Sequence, residues 1–162
     1  MSLAFSSPNP KTYSKVIDPD LIDIEIIEKI LSDQDIEYET DDNEIQITQG
    51  LAFDVFITIE EDKKLIKLRT YVKLNPNISV IQIKDIVDKL NNETAPLKFT
   101  DIYYKDKKPP HGFIEGDYYF FYLFDFTPEY FLYLIRFFSM AFADAIKSVN
   151  KNKKIADALT QG

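Results

Sequence analysis

The sequence has no cysteine, no tryptophan, a single histidine and only four glycines among 162 residues. Without cysteine there are no disulfides and no thiolate metal sites, so a stapled secreted domain is not expected. One histidine and no cysteine leave almost none of the usual nucleophile–base pairs. The glycines form neither a GxGxxG nor a Walker pattern, and no Gly-x-Ser-x-Gly elbow is present. Long hydrophobic runs are missing too. The longest apolar stretch, Tyr118 to Phe126, is interrupted by Asp125 and is too short to cross a bilayer. No basic-then-apolar leader opens the chain, so the cytoplasm is the expected compartment.

What is present is apolar and acidic. The hydrophobic fraction is 45% and the aromatic fraction 14%, with 10 Tyr and 13 Phe. That supports one folded domain, expected over residues 16–150, with polar tails at 1–15 and 151–162. Aromatic side chains beyond the needs of a core point to a partner surface. The formal net charge of -8 repels phosphate backbones and anionic lipid, so neither nucleic acid nor membrane is an expected partner.

Asp18-Pro19-Asp20 reads as a helix start, with Leu21, Ile24, Ile27 and Leu31 on one stripe of a helix ending near Gln34. The period then becomes two. Ile36 and Tyr38, Ile45 and Ile47, Phe53 to Ile59, and Leu65 to Leu74 read as a meander of four antiparallel strands. Turns are expected at Thr40 to Asn43 and at Glu61 to Lys64. Ser79 with Gln82 forms a capping box before a short helix bearing Ile83, Ile86, Val87 and Leu90. Leu97 to Tyr104 reads as a strand, Lys105 to Gly112 as a loop, and Asp117 to Phe126 as a last strand. Being apolar on both faces, that strand is expected to be central or covered on both sides. Thr127-Pro128-Glu129 opens a closing helix that runs to about Asn150. The fold class is therefore α+β: an antiparallel sheet of about six strands with helices packed on it, in the order helix, four strands, helix, two strands, helix.

Chemistry is sparse. His111, in a Pro-Pro-His-Gly loop, reads as a solvated loop residue. The acidic run Thr40-Asp41-Asp42-Asn43-Glu44 lacks the central glycine of a calcium loop and reads as a turn. Lys105, Lys107 and Lys108, like Lys151, Lys153 and Lys154, read as solvated charge. No catalytic, cofactor-binding or metal-ligating residue is assigned. The closing helix is the informative element. Phe131, Leu134, Ile135, Phe138, Phe142, Ala145, Ile146 and Val149 form its core stripe. Tyr130, Tyr133, Phe137 and Met140 form a second stripe opposite. Such a helix is buried on two sides or faces a partner, and both readings stay open at this point.

The helix Ile83 to Asn92 ending Lys89-Leu90-Asn91-Asn92, the strand Phe99-Thr100-Asp101-Ile102-Tyr103, the strand Tyr118 to Phe126 and the long closing helix resemble the YbjN family of bacterial proteins. That family is described as sensory-transduction-regulator-like and is similar in fold to type III secretion chaperones. The resemblance spans about Pro19 to Asn150. It implies a chaperone-like homodimer that holds a partner segment against its sheet and helices, and it carries over no active site. The expectation is a non-catalytic protein-binding module with Tyr130, Tyr133, Phe137 and Met140 at a protein interface. The alternative is a small-molecule or lipid-binding domain with an aromatic-lined pocket between sheet and helices. An enzyme working through carboxylates alone ranks last.

Overall fold

The computed structural model describes residues 15–76, 78–94, 96–104 and 111–150, without the side chains of His111 and Asn150. The lysines at 105, 107, 108, 151, 153 and 154 and most of both expected tails lie outside these residues. The elements are α1 (Ile24–Ser32), β1 (Glu39–Asp41), β2 (Glu44–Ile47), β3 (Val55–Glu60), β4 (Leu65–Lys73), α2 (Val80–Glu93), β5 (Lys98–Tyr104), β6 (His111–Phe121) and α3 (Pro128–Asn150). The six strands make one antiparallel sheet in the order β1-β2-β3-β4-β6-β5. Fold class and element order match those read from the sequence.

Three boundaries differ, each for a local reason. Asp18 caps only a single 3-10 turn, Pro19–Leu21, by accepting from the Asp20 amide. Asp23 then caps α1 afresh, accepting from the Ile26 amide at 2.8 Å. The break turns Ile22 inward and leaves Leu21, expected in the core stripe, exposed. In the first hairpin, Asp42 adopts the left-handed conformation that aspartate tolerates, so the turn tightens to Asp42-Asn43. The strand consequently lies at Glu39–Asp41, after Ile36 and Tyr38. Finally, β6 begins at His111 and ends at Phe121, earlier than Asp117 to Phe126. His111 and Gly112 belong to the strand and pair with Tyr104 and Tyr103. Residues 122–126 leave the strand, and Tyr122 and Phe126 are buried edge-on against each other, with Phe126 also against Phe131 of α3.

The alternation along the central strands sorts the two faces of the sheet. Ile57, Ile66, Leu68, Val72 and Ile114 join the core with residues from all three helices. Phe142 of α3 reaches the sheet because Gly116 has no side chain. A Cβ there would lie 2.5 Å from the Phe142 ring. Phe142 is thereby free to stack on Phe99, centroids 5.8 Å apart, and to meet Phe53 edge-on at 5.0 Å.

Both outer edges of the sheet are protected. β1 carries only exposed polar residues. On β5, the Asn91 side chain of α2 donates to the Phe99 carbonyl at 2.9 Å and accepts from the Phe99 amide at 2.8 Å. That two-way bridge occupies main-chain groups that would otherwise offer a pairing edge. The Ser79–Gln82 capping box at the start of α2 is present as expected.

Candidate functional site

The hydroxyl of Thr127 accepts from the Tyr130 amide and starts α3 at Pro128, as the cap-Pro-acid order requires. Every residue of the expected core stripe of α3 is buried. On the opposite side, Tyr133 and Met140 are 60% and 65% exposed, and Tyr130 is about half exposed. Phe137 differs from these three. It is half-buried, stacked on Tyr133 with centroids 6.3 Å apart and packed edge-on against Tyr118 of β6 at 6.2 Å. Tyr130 rests edge-on against Phe120 at 5.7 Å. The second stripe is thus rooted on β6 through Phe137 and Tyr130, while Tyr133 and Met140 stand clear.

Sequence reasoning missed a second apolar area, at the end of the molecule where β6 gives way to α3. The Ile17 amide donates to the Phe126 carbonyl at 2.8 Å and brings the chain start to this end. Around that bridge Val16, Leu21, Leu123 and Phe124 are exposed, Phe124 to 82%. A strand reading of residues 117–126 hid Leu123 and Phe124, and a helix reading hid Leu21.

The face of the sheet turned away from the helices holds charges and rings. Lys67 Nζ sits 3.0 Å from Asp117 Oδ1 and 3.8 Å from Glu115, with the Tyr119 ring 5.5 Å below it. Arg69 pairs with Glu44. Asp117 is only 4% exposed. Burial pulls the Lys67 ammonium down, but the Asp117 hydrogen bond and the Asp117 and Glu115 charges outweigh it and hold its pKa above 10.5. Tyr71, pressed between Phe56 and Phe113, is pushed up to about 12 by burial, with the Glu115 charge adding to the effect and Arg69 opposing it. An unfolded tyrosine loses its proton near pH 10. Folded Tyr71 keeps its proton longer, so its contribution to stability is intact below pH 10 and is lost as the pH climbs toward 12. Thermal melts between pH 9 and pH 11.5 should show stability falling with pH, and Tyr71→Phe should flatten that fall.

β6 is an interior strand, paired with β4 on one side and β5 on the other, and its Tyr119 and Phe121 are exposed on this outer face. Their rings add to the apolar surface near the end of the strand.

Two cavities lined by described residues carry no aromatic side chain. One of about 500 Å³ is bounded by Ile24, Asn43, Ile59 and Glu60 to Lys63. The other, of about 10 Å³, is bounded by Ile36, Ile47, Leu51, Leu132, Ile135 and Arg136. The aromatic excess goes to the core, the α3 stripe and the outer sheet face instead. Among the described residues no three carboxylate or histidine side chains gather where they would hold a metal ion. Nor is any described helix long and apolar enough to cross a membrane.

With this geometry in hand, the chain superposes on the crystal structure of YbjN, a proposed transcription regulator from E. coli, with a TM-score of 0.69. The chain has the YbjN fold. The match covers 90% of this chain and 99% of the YbjN chain at 12% sequence identity. At that identity the likeness speaks for the fold alone, and it agrees with the resemblance carried by the α2, β5, β6 and α3 segments. No protein-family model and no curated protein sequence matches the chain. The YbjN-like scaffold gives Asn91 a physical role, since it is the residue that locks α2 to β5.

Proposed function

We propose that this chain is a non-catalytic protein-binding module, chaperone-like or regulatory, that pairs with a second copy of itself through the outer stripe of α3. The paired module holds a segment of a partner protein. Its acidic, cysteine-free composition fits the cytoplasm. The observation that carries this reading is the exposure of Tyr133 and Met140 midway along a helix whose opposite apolar stripe is fully buried. A helix with two apolar faces leaves one to be covered. Tyrosine and methionine are also residues that interfaces favour. The YbjN fold supports a regulatory rather than a catalytic role, since the neighbour is described as a proposed regulator.

Tyr133→Glu is the direct variant, because Tyr133 projects into solvent whereas Phe137 is also part of the packing against Tyr118. A buried, unpaired carboxylate costs several kcal/mol in an interface and almost nothing on a free surface. Tyr133→Glu is expected to halve the solution molar mass while leaving the circular dichroism spectrum and melting temperature of the chain nearly unchanged. An unaltered molar mass in a variant of a dimeric protein would remove α3 as the contact.

A further inference from the structure

The apolar end at the Ile17–Phe126 bridge has a chemistry of its own. Val16, Leu21, Leu123 and Phe124 are exposed there, each within five residues of Ile17 or Phe126. Four exposed carboxylates, Asp18, Asp20, Asp125 and Glu129, stand among and beside them. The described cations at this end are Lys15, which is exposed, and Lys64, which is already bound to Asp20 at 2.9 Å. An exposed apolar patch rimmed by polar residues marks a contact site.

We infer that this end is the seat of the partner segment, and that the segment is amphipathic and basic: apolar side chains that cover Leu123 and Phe124, flanked by Lys or Arg that meet Asp18, Asp125 and Glu129. The inference rests on the protein-binding reading above and adds to it the chemistry of the partner. Charge decides between occupants. A second copy joined by two-fold symmetry would bring the same patch against itself, carboxylates included. Like charges placed together oppose association, whereas a basic segment gains from complementarity and from the acidic field of the whole chain. The α3 stripe remains available for self-association toward its far end, because Met140 lies three helical turns beyond Glu129.

The test uses a fluorescent 14-residue helical peptide of leucine and lysine in amphipathic spacing, and its counterpart with glutamate for lysine. Both are titrated against the full chain and followed by anisotropy. The lysine peptide is expected to bind and the glutamate peptide not to bind. Phe124→Ser and Asp125→Lys should each weaken binding about tenfold, or roughly 1.4 kcal/mol. Met140→Glu, three turns from Glu129, should leave it unchanged, which separates this surface from the self-association surface. Binding should also weaken at about 1 M salt, where charge is screened beyond about 3 Å. Equal affinity for the two peptides, or indifference of the lysine peptide to Phe124→Ser, would overturn the inference. So would a halved molar mass in Phe124→Ser, which would show a second copy seated there. Loss of self-association in Tyr133→Glu with no peptide response would fault the basic-segment assignment and leave the α3 reading standing.

Discussion

Gly116→Val is expected to destabilise the fold by about 2–3 kcal/mol, the upper part of the range for forcing atoms into a packed core. The cause is a single contact. A side chain at position 116 must displace the Phe142 ring, whose Cδ2 and Cε2 atoms would lie 2.5 and 2.6 Å from the new Cβ. That ring cannot move cheaply, because Phe99 and Phe53 hold it on two sides. The strand preference of valine offsets only a part of the cost. Phe142→Ala removes the same ring and should cost about 3–5 kcal/mol. The two sites are in contact, so their effects should not add. In the Phe142→Ala background, Gly116→Ala should cost less than about 0.5 kcal/mol, since the clash has gone. Urea denaturation of the four chains measures the coupling. An identical penalty for Gly116→Ala in both backgrounds would place its cause elsewhere.

Lys67→Ala is expected to cost about 2–3 kcal/mol at neutral pH, more than a surface ion pair contributes. Lys67 bridges Asp117 and Glu115, and both carboxylates are well shielded by neighbouring side chains. Without the ammonium, two like charges stay side by side on β6 with their nearest counter-charge lost. Lys67→Met, which keeps much of the stem, should recover little of the loss. The deficit should shrink when the solution is acidified enough to discharge the carboxylates. A deficit of the same size at pH 7 and at low pH would mean that Lys67 matters for packing rather than charge.

The sequence made the architecture legible because the hydrophobic period was clean where the elements are long. β3, β4 and α3 follow their patterns, and the Ser79–Gln82 and Thr127-Pro128-Glu129 signals sit where those helices begin. Errors arose where a local signal was real but short-lived. Asp18-Pro19-Asp20 does cap a turn, yet that turn ends at Leu21 because Asp23 starts another. The first half of β6 was hidden by Gly112, Glu115 and Gly116, residues that do not read as strand. Gly116 is there for Phe142, a contact between residues 26 apart in sequence, which no periodicity records.

The candidate interface was partly legible. Helical spacing placed Tyr130, Tyr133, Phe137 and Met140 on one side of α3, and three of them are exposed. Spacing alone did not reveal that Phe137 leans on Tyr118, because that depends on where β6 runs. The apolar end at Val16, Leu21, Leu123 and Phe124 was not legible at all. It exists only because the Ile17–Phe126 bridge joins segments more than a hundred residues apart.

The measurement that bears most directly on the proposed function is the solution molar mass of the unmodified chain by light scattering, followed across a hundredfold range of concentration. The account predicts a particle of twice the 18.9 kDa chain mass that persists on dilution into the low micromolar range. A particle of one chain mass at every concentration would contradict self-association through α3.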